Sequence, residues 1–435
     1  MQPAQTESHG RGRLFYGWWI VVAAALMGTY SGGTYIYGIT VFVNPIIREF
    51  GWSYLIVAGA VSVTGSILGL FSPLVGGLVD RFGSKRLIII CGAFSGAGFV
   101  ILGFTNSLPV FFTAFGFMSV GSMGTGSIVL QAVIANWFRR RVGLAMGATS
   151  AGVGMGGLLL PVISWLVLQY EWRTASIVLG IGTIVILTAL AQVMRQRPED
   201  HGYLPDGERL SADFRASQLA LGTRPPPAPE VKVRRALKTS TFWFISLAIS
   251  IYFMGLNAII LHIVPYLESV GMPAGSAALV ATFLPIFSIT GRLGYGWLGD
   301  RIPRKYVLAI TLGSQALGLA MFLLAPATWA LALFTVAYGP GFGGSIATGP
   351  AMVRDYFGRT SFGTIQGWLF ATTSLGGMAG PVLAGWMFDS QQSYALAWAV
   401  FAAATAAVIV PVVLIRRVAA PRGDGRTSEA RPATY

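Results

Sequence analysis

From Tyr16 almost to the C-terminus, the chain consists of predominantly apolar runs of twenty or more residues, separated by short polar breaks and one longer polar loop. A helical run of that length, rising ~1.5 Å per residue, crosses the ~30 Å hydrocarbon core of a bilayer. Composition agrees, with 11% of the 435 residues charged and a mean hydropathy of +0.66. A soluble domain carries roughly a quarter charged. Twelve crossings are predicted, over 16–43, 53–79, 87–105, 108–136, 143–169, 173–194, 241–268, 274–299, 306–325, 328–353, 362–388 and 394–417. The expected class is therefore an all-α membrane protein. A tail (1–15), a six-helix bundle (16–194), a polar loop (195–240), a second six-helix bundle (241–417) and a tail (418–435) divide it. The first run is too long for a signal-peptide core and is read as a retained span. The lone Cys91 sits in an apolar run, so neither a disulfide framework nor a cysteine-based metal site is expected.

The net charge is +14, and its placement explains it. All but three of the thirty Lys and Arg residues fall in the tails and loops of one side. Arg48 and Arg173 lie on the other side, and Arg292 lies inside a span. The positive-inside rule puts both termini and the central loop in the cytoplasm, with the chain in the cell (inner) membrane. A surplus that orients helices needs no nucleic-acid partner; the expected surroundings are the lipid bilayer. Within the central loop, Arg224 to Glu230 reads RPPPAPE, a stiff proline-rich linker. Val231 to Lys238 is basic with interspersed Val, Ala and Leu. It reads either as a short helix on the inner leaflet or as a solvated, orienting linker.

The halves repeat at an offset of about 220 residues. Gly76-x-Leu78-x-Asp80-Arg81-x-x-x-Lys85 returns as Gly296-x-Leu298-x-Asp300-Arg301-x-x-x-Lys305. Pro45 maps to Pro265, Gly51 to Gly271, Gly143 and Gly147 to Gly363 and Gly367, and Pro161 to Pro381. The offset spans six helices, so matching helices run the same way. That is a parallel duplication with a binding site expected between the halves near the midplane. On these loops and this repeat the chain resembles the major facilitator superfamily along essentially its whole length. The resemblance implies two parallel six-helix bundles related by pseudo-twofold symmetry. It also implies a gate at the cytoplasmic side built from Asp80, Arg81, Lys85, Asp300, Arg301 and Lys305, whose ion pairs break as the halves rock. The plainer reading is that these cations only orient helices. The glycines of helices five and eleven are accounted for by close packing, with sliding during transport as the functional addition.

Arg292 lies eight residues, or about 12 Å, from the charged end of its helix. All sixteen acids fall in tails, loops or at helix ends, so Arg292 has no carboxylate at its own depth. A guanidinium cannot shed its proton to become neutral. Either an anionic substrate supplies the missing charge, held bidentately by the planar fork, or backbone carbonyls and water hold a structural arginine. His262, in the outer part of helix seven, is either a carrier of a coupled proton or a packed, hydrogen-bonded histidine. Cavity-facing polar groups are expected at Tyr30, Thr34 and Tyr37 (i, i+4, i+7 on one helical face), at Asn257, the repeat mate of Tyr37, and at Ser122, Thr125 and Tyr338.

Three stretches resemble the monocarboxylate transporters and the oxalate/formate antiporters: Tyr16–Ser53 with its YGWW and ITVFVNPIIREFGWS, Asn136–Gly157, and ITGRLGYGWLGDR around Arg292. The resemblance assigns Arg292 the substrate carboxylate. It also exposes departures. Where animal monocarboxylate transporters carry a helix-one lysine and a helix-eight aspartate, this chain has Tyr37 and Ser288. Where the oxalate antiporters carry a helix-eleven lysine, nothing from Phe362 to Met387 is basic. The implied activity is secondary transport of a small monocarboxylate such as lactate or pyruvate, coupled to protons, by a monomer without a cofactor. The alternatives are exchange of the oxalate/formate type or transport of larger aromatic or dicarboxylic acids. Drug or sugar transport and a transporter-like sensor are further readings with less in their favour. No nucleophile–base set, phosphate loop or metal-ligand cluster suggests an enzyme.

Overall fold

The computed structural model describes residues 15–201, 203–207 and 231–415. The proline-rich Arg224–Glu230 and nearly all of both tails lie outside the described residues. Span one runs over Tyr16–Phe50, span two over Tyr54–Phe82, span three over Ser84–Gly103 and span four over Leu108–Trp137. The stretch Val142–Ala191 holds spans five and six, and the chain reverses between them at Glu171, the one residue there with non-helical dihedrals (φ 63°, ψ 157°). After the four-residue helix Val233–Ala236 come span seven (Ser240–Ser269), eight (Ala274–Gly299), nine (Arg304–Phe322), ten (Thr328–Phe357), eleven (Phe362–Gln391) and twelve (Ala395–Leu414).

The helices form two bundles related by the sequence repeat. Gly51 and Gly271, mates in that repeat, both adopt left-handed dihedrals (φ 65° and 88°) where spans one and seven end. That region admits glycine at little cost, so the repeat preserves the turn by preserving the residue. Each bundle has its own aromatic core. Phe111, Phe115, Phe99 and Trp172 pack in the first. Phe322 stacks on Phe334 at 4.2 Å in the second, beside Trp398 and Tyr266. Large apolar side chains such as Trp19, Leu168 and Val382 face outward, as a lipid-facing surface requires.

Span one is not a continuous α-helix. Gly32–Tyr37 is π-helical, with the Gly38 N–H donating to the Gly33 carbonyl at 2.7 Å. A π segment inserts one residue into the helical turn and shifts the faces beyond it. Tyr30, Thr34 and Tyr37 therefore do not share the single face that 3.6-residue periodicity predicts.

The halves meet at the end that carries the basic loops. Span two packs on span eleven, and span five on span eight. Contact is close because the facing residues are small. A Cβ on Gly76 would overlap the Gly363 carbonyl, and one on its mate Gly296 would reach the Gly143 carbonyl at 2.6 Å. Gly76→Val is expected to leave each bundle folded and to prevent this end from closing. Interspin distances between labels at Arg86 and Tyr306 would then lengthen relative to wild type; unchanged distances would show that the contact yields.

Candidate functional site

Two carboxylates close the basic end. Asp80, at the end of span two, accepts from the backbone N–H groups of Gly363 and Thr364 (3.0 and 2.8 Å) and from the Thr364 hydroxyl (2.7 Å). Its repeat mate Asp300 accepts from the N–H groups of Gly143 and Leu144 (2.7 and 2.9 Å). In both cases the donors are the second and third residues of a helix in the opposite half. Spans five and eleven have no side-chain cap of their own at Arg141 and Ser361. Each half therefore supplies the N-cap of a helix in the other, satisfying orphan donors at the positive end of the dipole.

Arg301 stacks on Trp297 at 3.7 Å, Arg81 lies over its neighbour Phe82 at 5.3 Å, and Lys85 is exposed. Lys305 donates to the Val413 and Ile415 carbonyls of its own half (2.9 and 3.4 Å). Arg304 holds Asp300 at 2.8 Å and also pairs with Asp355. It was not foreseen because its repeat mate is Ser84, so no duplicated motif marks it. Burial outranks these hydrogen bonds at Asp300 and raises its carboxyl pKa. Further ties across the halves run from Arg354 to the Ala135 carbonyl (2.7 Å) and from Glu199, beyond span six, to Arg359 (2.6 Å).

Arg292 stands above this closure. It is buried, donates through Nη1 to the Ser150 carbonyl of span five, and lies over the Phe342 ring at 5.7 Å. Its Nε has no partner. Among the described residues no carboxylate pairs with it. The phenols of Tyr252 and Tyr37 are the titratable groups within electrostatic reach. Tyr252 is committed elsewhere, donating to the Phe342 carbonyl at 2.9 Å. The repeat mate of Arg292 is Ser72, which donates to the Gly367 carbonyl of span eleven at 2.9 Å. Helices two and eight thus make the same kind of tie at the same depth, one through a hydroxyl and one through a guanidinium.

A cavity of about 220 Å³ lies in the first half, against Phe370 of the second. Thr34, Ser122 and Thr125 line it, with Ser31, Ser95 and Thr183. Val153 forms part of its wall, and the next residue, Gly154, faces the Arg292 guanidinium. Cavity and arginine therefore adjoin the same turn of span five.

The other expected residues stand apart from the cavity lining. Tyr30 donates to the Leu179 carbonyl at 3.2 Å. Asn257 donates to the Gly377 carbonyl at 3.0 Å, tying span seven to span eleven. Tyr338 is fully buried within the second bundle and accepts from Gln315 at 3.2 Å. His262 is hydrogen-bonded at both ring nitrogens, to the Tyr394 hydroxyl and the Pro381 carbonyl (3.1 Å each). It lies ten residues, or about 15 Å, along span seven from Tyr252, which marks the depth of Arg292.

Two six-helix bundles related by a parallel repeat, capped on each other at one end, define a duplicated helical membrane protein. The family model of the Major Facilitator Superfamily matches residues 19–343 and 244–434, and the chain belongs to that superfamily. It is a membrane transporter rather than an enzyme. Monocarboxylate transporter 12 of Rattus norvegicus is 25% identical over 403 residues, covering 88% of this chain and 82% of that protein. The oxalate:formate antiporter of Oxalobacter formigenes is 27% identical over 378 residues, covering 85% and 83%. Among solved structures, the E. coli fucose:proton symporter FucP aligns with a TM-score of 0.67 at 15% identity, over 93% of this chain and all of that one. FucP in the outward conformation aligns at 0.65 and 15%, over 92% of this chain and all of that one.

The caps are expected to control closure. Asp80→Ala or Asp300→Ala should weaken it by about 1–2 kcal/mol, shifting the open fraction by roughly 5- to 30-fold. The sign of the pH effect follows from the raised pKa of Asp300. The closed form takes up a proton before a solvated carboxyl would, so falling pH favours closure and the effect fades as pH rises through the raised value. Distances between the labels at Arg86 and Tyr306 measure both effects, and Asp300→Asn should remove the Asp300 share of the pH dependence.

Proposed function

We propose that this protein moves small organic monocarboxylates, of the lactate or pyruvate kind, across the cell membrane by alternating access, with a proton as the coupled ion. One observation carries the reading: Arg292 is buried, unpaired by any described carboxylate, and bound on one edge only by a carbonyl dipole. A buried charge in that state is costly, and a substrate carboxylate completes it. The names of the relatives support the same substrate class. The basic end is read as cytoplasmic, which makes the present conformation closed to the cytoplasm.

The mechanism follows from the ties. A carboxylate entering beside span five offers two charged acceptors where Ser150 offers one neutral one, so it competes for the Arg292 fork. Neutralised, the guanidinium no longer needs the Ser150 carbonyl, and one tie between the halves loosens. Thr34, Ser122 and Thr125 offer hydroxyls to the rest of the substrate across that turn. The proton route stays with solvent and substrate. Ser288, at the position of the family's aspartate, donates only to the Pro285 carbonyl (2.7 Å), and His262 lies far from Arg292. For this reason exchange of the oxalate/formate type is the second reading, since exchange needs no protein proton carrier.

Uptake of labelled L-lactate into proteoliposomes, with and without an inward proton gradient, tests the assignment. Gradient-stimulated uptake is expected for wild type. Arg292→Ala should lower it 30-fold or more, the equivalent of losing a buried charge pair worth about 2–5 kcal/mol. Arg292→Lys keeps the charge, loses the fork and should recover only part. Arg292→Met, which removes an uncompensated buried charge, should raise the melting temperature of the substrate-free protein while abolishing uptake. Uptake that survives Arg292→Ala would make the arginine structural. Uptake stimulated by internal anion rather than by the gradient would select exchange.

A further inference from the structure

We infer that Lys232, Arg234, Arg235 and Lys238 form a docking surface for the headgroups of anionic phospholipids in the leaflet that the basic end faces. The four cations fall within seven residues just before span seven, all exposed, and wall an open cleft of about 420 Å³. Among the described residues none of them pairs with a carboxylate. Several cations elsewhere are partnered, Arg304 with Asp300, Arg359 with Glu199, Arg173 with Glu49 and Arg301 with the Trp297 ring, while others such as Arg86, Arg139 and Arg141 are exposed in or beside short loops. What sets this segment apart is that four cations without a described carboxylate partner share one cleft.

The segment is also seated. Val231 and Ala236 are buried, Val233 and Leu237 pack on the same core, and the short helix rests on span eleven. A solvated linker whose charges merely orient helices has no need of that anchorage. An independent depth marker lies beside it. Trp243 is exposed on the outer surface, and its indole N–H donates to the Leu237 carbonyl at 2.9 Å. An exposed tryptophan with a satisfied polar edge is the residue type of the membrane interface, apolar ring toward acyl chains and N–H toward headgroups. The hydrogen bond ties the cationic segment to that level. Four ammonium and guanidinium groups held at headgroup depth attract phosphodiester lipids of net negative charge, and the seat keeps them from following a soluble anion away from the surface.

The inference rests on the membrane orientation adopted under the proposed function, and the test separates the two. Purified full-length protein in detergent is titrated with dioleoylphosphatidylglycerol or dioleoylphosphatidylcholine, and bound lipids are counted by native mass spectrometry. Wild type is expected to prefer phosphatidylglycerol, with the preference falling as NaCl rises toward about 1 M. The Lys232→Gln/Arg234→Gln/Arg235→Gln/Lys238→Gln variant should lose the preference by roughly tenfold or more. Arg139→Gln/Arg141→Gln, which removes exposed charge from another basic loop, should keep it. An unchanged preference in the quadruple variant, or an equal loss in the loop control, overturns the proposal. Competition by inorganic phosphate at concentrations matching the lipid would assign the site to soluble phosphate and overturn it as well. Orientation is read separately, from labelling of Arg234→Cys by an impermeant maleimide. Labelling from outside intact cells removes the orientation and the proposal with it, whereas labelling only after permeabilisation leaves the lipid titration as the deciding result.

Discussion

The closed end of this transporter depends on four backbone N–H groups that no residue of their own helix satisfies. The starts of spans five and eleven are buried against the opposite bundle, where an orphan donor has little access to water. Asp300 and Asp80 reach across and accept them. Two consequences follow. Closure is specific, because a carboxylate bonds the second and third N–H of a helix only when that helix end is in register with it. Closure is also marginal, because a cap contributes about 1 kcal/mol and a carboxylate released to water is solvated in compensation. A moving part needs both properties: a defined closed geometry and a modest free energy of opening.

The same repeat that duplicates the caps makes one departure from symmetry conspicuous. At one depth of the interface, Ser72 ties span two to the Gly367 carbonyl and Arg292 ties span eight to the Ser150 carbonyl. A hydroxyl is content with that arrangement. A guanidinium is not, since one carbonyl leaves a full charge and further donors without adequate partners. Replacing the hydroxyl by the cation in one half keeps the mechanical tie and adds an unmet demand for an anion. Structure and proposed function therefore meet in one residue pair rather than in separate parts of the molecule.

Much of this was legible before any coordinates. Hydrocarbon thickness makes the span count readable, and the 220-residue offset identifies the bundles, the paired aspartates and the depth of Arg292. What could not be read was the partner of each group. The aspartates are expected to meet the cations beside them; both also accept backbone N–H groups of the opposite half, which carry no sequence signature, and Asp300 pairs with Arg304. Tyr30 and Tyr37 were placed on one face by 3.6-residue periodicity, and a π segment of two glycines and four further residues rotates the helix between them. Tyr338 is among the groups expected to face a cavity. Its burial against Gln315 depends on which way span ten is turned, and a helix whose polar residues are so few between Thr328 and Thr348 gives no face to read. Thr34, Ser122 and Thr125, ordinary hydroxyls with intrahelical bonds, are the ones that line a cavity.

The charge balance within the membrane also limits how the cycle can work. With one buried cation and no acid at its depth, the empty site is positively charged and the site holding a monoanion is neutral. Rocking moves that site between aqueous surfaces through a region of low dielectric, where a net charge is disfavoured. On the proposed function, the form loaded with the anion alone is neutral and crosses with the smaller electrostatic barrier, whereas a proton carried with the substrate restores the unit charge. A dianion would restore a charge of the opposite sign and remove that advantage unless it entered singly protonated. On the proposed function, the absence of a second cation on span eleven and of an aspartate beside Arg292 favours substrates of unit negative charge. That preference follows from the count of charges at one depth, whatever the shape of the acid that fills the hydroxyl-lined cavity next to it.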